Sequence, residues 1–92
     1  MPHRILKYRG HCNKAFVLRL PKDAVVLSVQ NQLDVPVLWI TVDSSVPMDQ
    51  YVNRVFISFG TGQEIIGIED FKYIATVQEL HGRVWHFYEH LK

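Results

Sequence analysis

The chain has 92 residues, with ten Lys or Arg, nine Asp or Glu, a formal net charge of +1 and one cysteine. A chain of this length predicts one β domain over residues 1–92 that buries only about 60 to 65% of its unfolded surface, so we expect a homo-oligomer. Composition excludes an internal disulfide and a membrane-spanning helix, and the start of the chain shows no secretory signal, which predicts a cytoplasmic protein without a membrane partner.

Apolar patterns of the β-strand type recur along the whole chain. Short runs or alternations of Val, Ile, Leu, Phe, Tyr and Trp predict seven strands, at residues 4–9, 15–20, 24–30, 36–42, 51–59, 72–79 and 84–89. Strands 24–30 and 36–42 are apolar on both faces, which indicates a central position or a subunit contact. The acidic segment 63–71 is irregular, with one helical turn near Glu69.

The last two predicted strands form a hairpin across residues 80–83. Seven short antiparallel strands in so few residues predict an all-β fold, either a small barrel or a sandwich. A flat open sheet is excluded because it would leave long exposed edges.

Charge is distributed unevenly along the sequence. Residues 1–22 contain six Lys or Arg and no acid, whereas residues 23–92 contain four Lys or Arg and nine Asp or Glu. The acid-free segment fits an anion-binding face, a face that meets an acidic face of another subunit, or simply the solvent side of two strands. The small net charge argues against extended DNA or RNA as a partner.

No residue pattern indicates catalysis or a metal site. At about 3.3 Å per residue His86 and His90 lie about 13 Å apart on one strand face, too far to bind one ion, and His86 fits a hydrogen bond within the sheet. The side chains of the adjacent His11 and Cys12 point apart in an extended chain, so they do not pair as base and nucleophile. We therefore expect a protein that is not an enzyme, with no catalytic residue, metal or cofactor.

Glycine, arginine and aromatic residues form a candidate ligand site. Backbone N–H groups of Gly60-Thr61-Gly62 can bind a phosphate, although the same tripeptide also fits a plain turn. Arginines can hold phosphates and an aromatic face can stack on a base, although tryptophans on such strands are more often core or dimer-interface residues. The predicted ligand-binding residues are Arg9, Arg54, Gly60, Thr61, Gly62, Gln63, Arg83 and Trp85.

Six segments carry a resemblance to a known group of proteins: Pro21-Lys22-Asp23-Ala24, Leu27-Ser28-Val29-Gln30, Leu38-Trp39, Phe59-Gly60-Thr61-Gly62, Tyr73-Ile74-Ala75-Thr76-Val77-Gln78 and Val84-Trp85-His86-Phe87-Tyr88-Glu89. Over nearly its whole length the chain resembles a family of small uncharacterised bacteriophage proteins. The resemblance implies phage origin and no assigned activity. Small phage proteins are often virion accessories or early proteins that bind a host factor.

Together these features predict a non-enzymatic phage protein that sequesters or blocks a host factor in the host cytoplasm, a counter-defence role. The leading ligand is a small anionic, nucleotide-like signal. Two alternatives stay open: an inhibitor that binds a host protein without a ligand pocket, and a virion accessory or structural protein.

Overall fold

The computed structural model describes residues 2–91, and all of its regular structure apart from two single helical turns is β-strand. The strands are β1 (His3–Arg9), β2 (Phe16–Pro21), β3 (Val25–Gln32), β4 (Val35–Asp43), β5 (Tyr51–Gly60), β6 (Phe71–Gln78) and β7 (Val84–His90). The 3-10 turns are Met48–Gln50 and Ile68–Asp70. Within residues 2–91 no helix has the length and apolar character that crossing a membrane requires. The predictions of an all-β fold and of a helical turn near Glu69 are confirmed.

The strands form two antiparallel sheets in a sandwich-like arrangement, not a closed barrel. Sheet A has the order β1-β4-β3 and sheet B the order β2-β5-β7-β6. Strand β4 is central, as predicted, but β3 lies at an edge of its sheet, so a central position was wrong for this strand. Its second apolar face instead remains open to solvent, with Val25 56% and Leu27 51% exposed. The β3 edge meets β6 of sheet B, where Asn31 Nδ2 donates to the Gln78 carbonyl at 3.3 Å.

The hydrophobic core lies between the two sheets and is built from alternate residues of the strands. Phe56 of β5 and Phe87 of β7 are fully buried there. The ring of Phe16 stacks on Phe56 at 5.6 Å between centroids and contacts Phe87 edge-on at 6.5 Å. Leu20 of β2 and Val77 of β6 complete the sheet B side of the core. Sheet A closes the other side with Val29, Leu38, Ile40 and Val42, and Ala24 adds to the core from the connection before β3. Alternation with a period of two places these apolar side chains on one face of each strand.

The connection between β5 and β6 crosses the outer face of sheet B. Both strands pair with β7, β5 ending opposite Trp85 and β6 beginning opposite His90. Residues 61–70, which we call the crossover segment, must therefore run along β7 for about 17 Å at about 3.3 Å per residue. The hydrophobic core covers the inner face of sheet B, so the crossover segment runs across the outer face. On the outer face Phe59 is only 7% exposed, in edge-on contact with Phe71.

Candidate functional site

A concave surface at one end of sheet B brings together four of the eight predicted ligand-binding residues. It has a volume of about 490 Å³ and is lined by Gly60, Thr61, Gly82, Arg83, Val84 and Trp85. We call this surface the end site. Two distant segments of the chain meet there because β5 pairs with β7, which places Gly60 directly opposite Trp85. The register of the sheet, and not closeness in sequence, therefore builds the site.

A β-turn over Gly60, Thr61, Gly62 and Gln63 forms one rim of the end site. The Gln63 N–H donates to the Gly60 carbonyl at 3.0 Å, and Gly62 has φ +86°. These are features of a type II turn, which favours glycine at its third position because L side chains rarely adopt positive φ. The Gly60 N–H donates in turn to Gln63 Oε1 at 2.9 Å. Gln63 thus holds the turn in shape, and the turn amides of Thr61 and Gly62 are the candidate donors to an anion.

Trp85 and the β6–β7 hairpin form the opposite rim. The indole Nε1 donates to Glu79 Oε1 at 2.6 Å, which fixes the orientation of the ring. The hairpin is closed by the Glu79 N–H donating to the Arg83 carbonyl at 2.7 Å and the Gly82 N–H donating to the Glu79 carbonyl at 3.1 Å. The guanidinium of Arg83 is carried on this turn and is exposed. Trp85 is half-buried and also packs against the hydrophobic core. The rim therefore offers the accessible part of an oriented aromatic ring beside a solvent-accessible cation.

A chain of hydrogen bonds orients the Thr61 hydroxyl. Thr61 Oγ1 lies 2.8 Å from His86 Nε2, and His86 Nδ1 lies 3.0 Å from Thr76 Oγ1. Thr76 Oγ1 in turn lies 2.6 Å from the Tyr73 hydroxyl. A neutral imidazole has one donor and one acceptor nitrogen. In one arrangement the Tyr73 hydroxyl donates to Thr76 Oγ1 and the Thr76 hydroxyl donates to His86 Nδ1. His86 Nε2–H then donates to Thr61 Oγ1, and the Thr61 hydroxyl hydrogen is left for a bound acceptor. The expected hydrogen bonding of His86 within the sheet is confirmed.

Gly62 and Gln63 belong to the turn at the rim without lining the end site, whereas Arg54 and Arg9 lie away from it. Arg54 lies on the inner face, where Nε and Nη2 donate to Glu89 Oε2 and Oε1 at 2.6 and 2.7 Å and Nη1 donates to the Ala24 carbonyl. The side-chain exposures of Arg54 and Glu89 are 18% and 13%. The hydrogen bonds with Glu89 raise the pKa of Arg54. Arg9 lies on the outer face of sheet A, two residues from Lys7 on the same strand.

Cys12 lies in a groove of about 370 Å³ beside Glu79 and Asp34. Burial first, and then the carboxylates of Glu79 and Asp34, raise the pKa of its thiol to about 11. A protonated thiol is a poor nucleophile and a poor metal ligand. Within residues 2–91 no group of three or more His, Cys, Asp or Glu side chains is arranged to hold a metal ion.

The raised pKa of Cys12 predicts slow alkylation and a loss of stability in alkaline solution. The folded protein holds the thiol pKa near 11, above its ordinary value of 9.0. The unfolded chain therefore loses the proton first, and the stability of the wild type should fall, relative to Cys12→Ala, as the pH rises from about 9 to about 11. Urea unfolding at neutral and alkaline pH, with iodoacetamide alkylation followed by mass spectrometry, measures both effects. Rapid alkylation of the folded protein at neutral pH would contradict the prediction.

Comparisons with known proteins give a family but no function. No curated protein and no solved structure matches the chain. The model of a domain of unknown function, DUF7352, matches residues 1–92. Since this match spans the whole sequence, the chain belongs to the DUF7352 family.

Proposed function

We propose that the protein is a non-catalytic binding protein that holds a small anionic, nucleotide-like ligand at the end site. One observation carries this proposal: Gly60 and Thr61 meet Arg83 and Trp85 around a single concave surface of about 490 Å³. Small-molecule sites usually have volumes of roughly 300 to 1,000 Å³ and combine an apolar wall with a few polar groups. The end site has both the volume and this combination.

Each part of the end site fits one part of such a ligand. The oriented ring of Trp85 offers a face on which a base can stack, an interaction of about 1–3 kcal/mol. The Arg83 guanidinium can bind phosphate oxygens with two parallel hydrogen bonds. The Thr61 hydroxyl and the amides of the adjoining turn add neutral donors on the opposite rim. The base would therefore lie toward Trp85, with its phosphate between Arg83 and Thr61.

The biological role that we propose is sequestration of a host-made signal in the cytoplasm of an infected cell. Sequestration requires affinity and abundance but no turnover, which suits a small binding protein. The resemblance of the sequence to small phage proteins supports this counter-defence role, and the modest size of the domain supports action as a homo-oligomer.

Ligand binding is tested by thermal-shift screening followed by calorimetry. The probes are cyclic mononucleotides, cyclic dinucleotides and ADP-ribose derivatives, with inorganic phosphate as a comparison. A ligand at 100 times its Kd should stabilise the fold by about 2.7 kcal/mol. Trp85→Ala should weaken the Kd by about 10- to 100-fold and Arg83→Gln by about tenfold, whereas Trp85→Phe, which keeps an aromatic face, should retain most of the affinity.

Arg19→Gln is the matched control for Arg83→Gln. Arg19 is an exposed arginine on β2, the edge of sheet B opposite the β6–β7 hairpin, so its loss should leave the Kd unchanged. Equal losses for both variants would mean nonspecific attraction of anions. If no anion stabilises the protein, the proposal fails. A host protein recovered in stoichiometric amount in pull-downs would then favour the inhibitor that binds a host protein. Detection of the chain in purified virions would favour the virion accessory.

A further inference from the structure

Leu33 has a backbone conformation and an exposure that are both unfavourable for leucine. Gln32 pairs with Val35, so Leu33 and Asp34 are the two turn residues of the β3–β4 hairpin. Their φ angles are +50° and +64°, as a type I′ turn requires, a turn that favours Asn-Gly. Leu33 is also 95% exposed. Glycine or asparagine would serve this turn better, so the leucine points to a role for its side chain outside the fold.

Leu33 lies at the end of a basic and apolar surface, which we call the sheet A face. It lines a groove of about 300 Å³ together with Lys7, Arg9, Gln32, Val35 and Val37. Lys7 Nζ donates to Gln32 Oε1 at 2.9 Å, which holds the ammonium group against the groove. On the same outer face, the apolar side chains of Ile5 and Val25 are 63% and 56% exposed. This surface offers two cations beside aliphatic side chains.

The crossover segment has the complementary chemistry. Its aliphatic residues Ile66 and Ile68 are 84% and 51% exposed, and the exposed acids Glu64 and Glu69 flank them. Acidic groups at the ends of an aliphatic stretch match the cations and aliphatic side chains of the sheet A face. Two sheet A faces in contact with each other would instead bring four cations together, which like-charge repulsion disfavours.

We propose that the sheet A face binds the crossover segment of a second copy of this chain. The crossover segment covers the outer face of sheet B, on the opposite side of the sandwich from the sheet A face. One two-fold dimer therefore cannot use both surfaces of both copies, and the contact is head to tail, closing into a ring or extending into a chain of subunits. The proposal rests on the homo-oligomer included in the proposed function, and it does not depend on the ligand.

The test uses two variants that each lose one surface. Lys7→Glu/Arg9→Glu reverses the charge of the sheet A face, and Ile66→Asp places a charge in the aliphatic stretch of the crossover segment. Each variant should lose binding through the altered surface only. Light scattering after size-exclusion chromatography should show the wild type above its 10.8 kDa chain mass and each variant at that mass. A mixture of the two variants should form a 1:1 complex and no larger species, because one working interface remains between them. Met48→Asp, at an exposed apolar residue outside both surfaces, should assemble as the wild type does.

Leu33→Gly separates assembly from folding. Glycine adopts the positive φ without strain, so the monomeric variant should unfold at a higher urea concentration than the monomeric wild type. Loss of the leucine side chain should weaken assembly by about 10- to 100-fold. A monomeric wild type, a Lys7→Glu/Arg9→Glu variant that assembles normally, or a variant mixture without a 1:1 complex would each overturn the proposal. All of these measurements are made without ligand, so they succeed or fail separately from the nucleotide titrations.

Discussion

Replacing Phe56 by alanine is expected to lower the free energy of unfolding by about 3–5 kcal/mol. Phe56 is fully buried between the two sheets, and its ring stacks on Phe16. The substitution removes the transfer energy of the ring and leaves a cavity that hydrogen-bonded strands cannot easily collapse to fill. Small domains have a total stability of only about 5–15 kcal/mol, so the variant should be close to unfolding. Urea denaturation followed by circular dichroism measures the change.

Val17→Ala is the matched control for this experiment. Val17 is adjacent to Phe16 on β2 but faces solvent and is 57% exposed. Its truncation should change the free energy of unfolding by no more than about 0.5 kcal/mol. If Phe56→Ala lost no more stability than Val17→Ala, Phe56 could not lie at the centre of the core.

Arg54→Met is expected to cost about 2–4 kcal/mol of stability. The substitution leaves the Glu89 carboxylate without its two guanidinium hydrogen bonds, and the Ala24 carbonyl without its donor. We place the loss below that of a fully buried pair because side-chain exposures of 18% and 13% let water replace part of the lost interaction. Urea unfolding at neutral pH measures the difference.

The double variant Arg54→Met/Glu89→Leu tests the cause of that loss. With both charges removed no unpaired carboxylate remains, so much of the lost stability should return. A ligand titration of the stable double variant then tests the sequence-based prediction that Arg54 binds the ligand. If Arg54→Met were as stable as the wild type but no longer bound the ligand, Arg54 would be a ligand-binding residue and its structural role would be contradicted.

The positions of the strands could be predicted because each strand shows its inward face in the sequence. In β2 the residues Phe16, Leu18 and Leu20 alternate with Val17 and Arg19. The structure buries Phe16 and Leu20, half-buries Leu18 and exposes Val17 and Arg19. Such alternation specifies which side chains face the core. It does not specify which strands are neighbours, and so β3, apolar on both faces, resembles a central strand although it lies at an edge.

The end site could be predicted only in part. The glycine turn and Trp85 could be chosen by residue type, but their meeting depends on the pairing of β5 with β7, which local sequence does not reveal. The roles of Arg54 and Glu79 were missed for different reasons. Arg54 and Glu89 share strand faces with Phe56 and Phe87, and a charge on a core-facing position is a signal that it needs a partner. Glu79, the acceptor for Trp85, follows the end of a strand and carries no such signal.

The central place of β7 in sheet B affects how a nascent chain can assemble. Strand β7 is the last of the seven to be synthesised, yet it lies between β5 and β6, which have no ladder with each other. Until β7 has docked between them, β5 and β6 each present an unpaired edge to the surroundings. Such edges are templates for pairing with other chains. Pairing with other chains before β7 docks is therefore the particular aggregation hazard of this topology, and docking of β7 closes both edges at once.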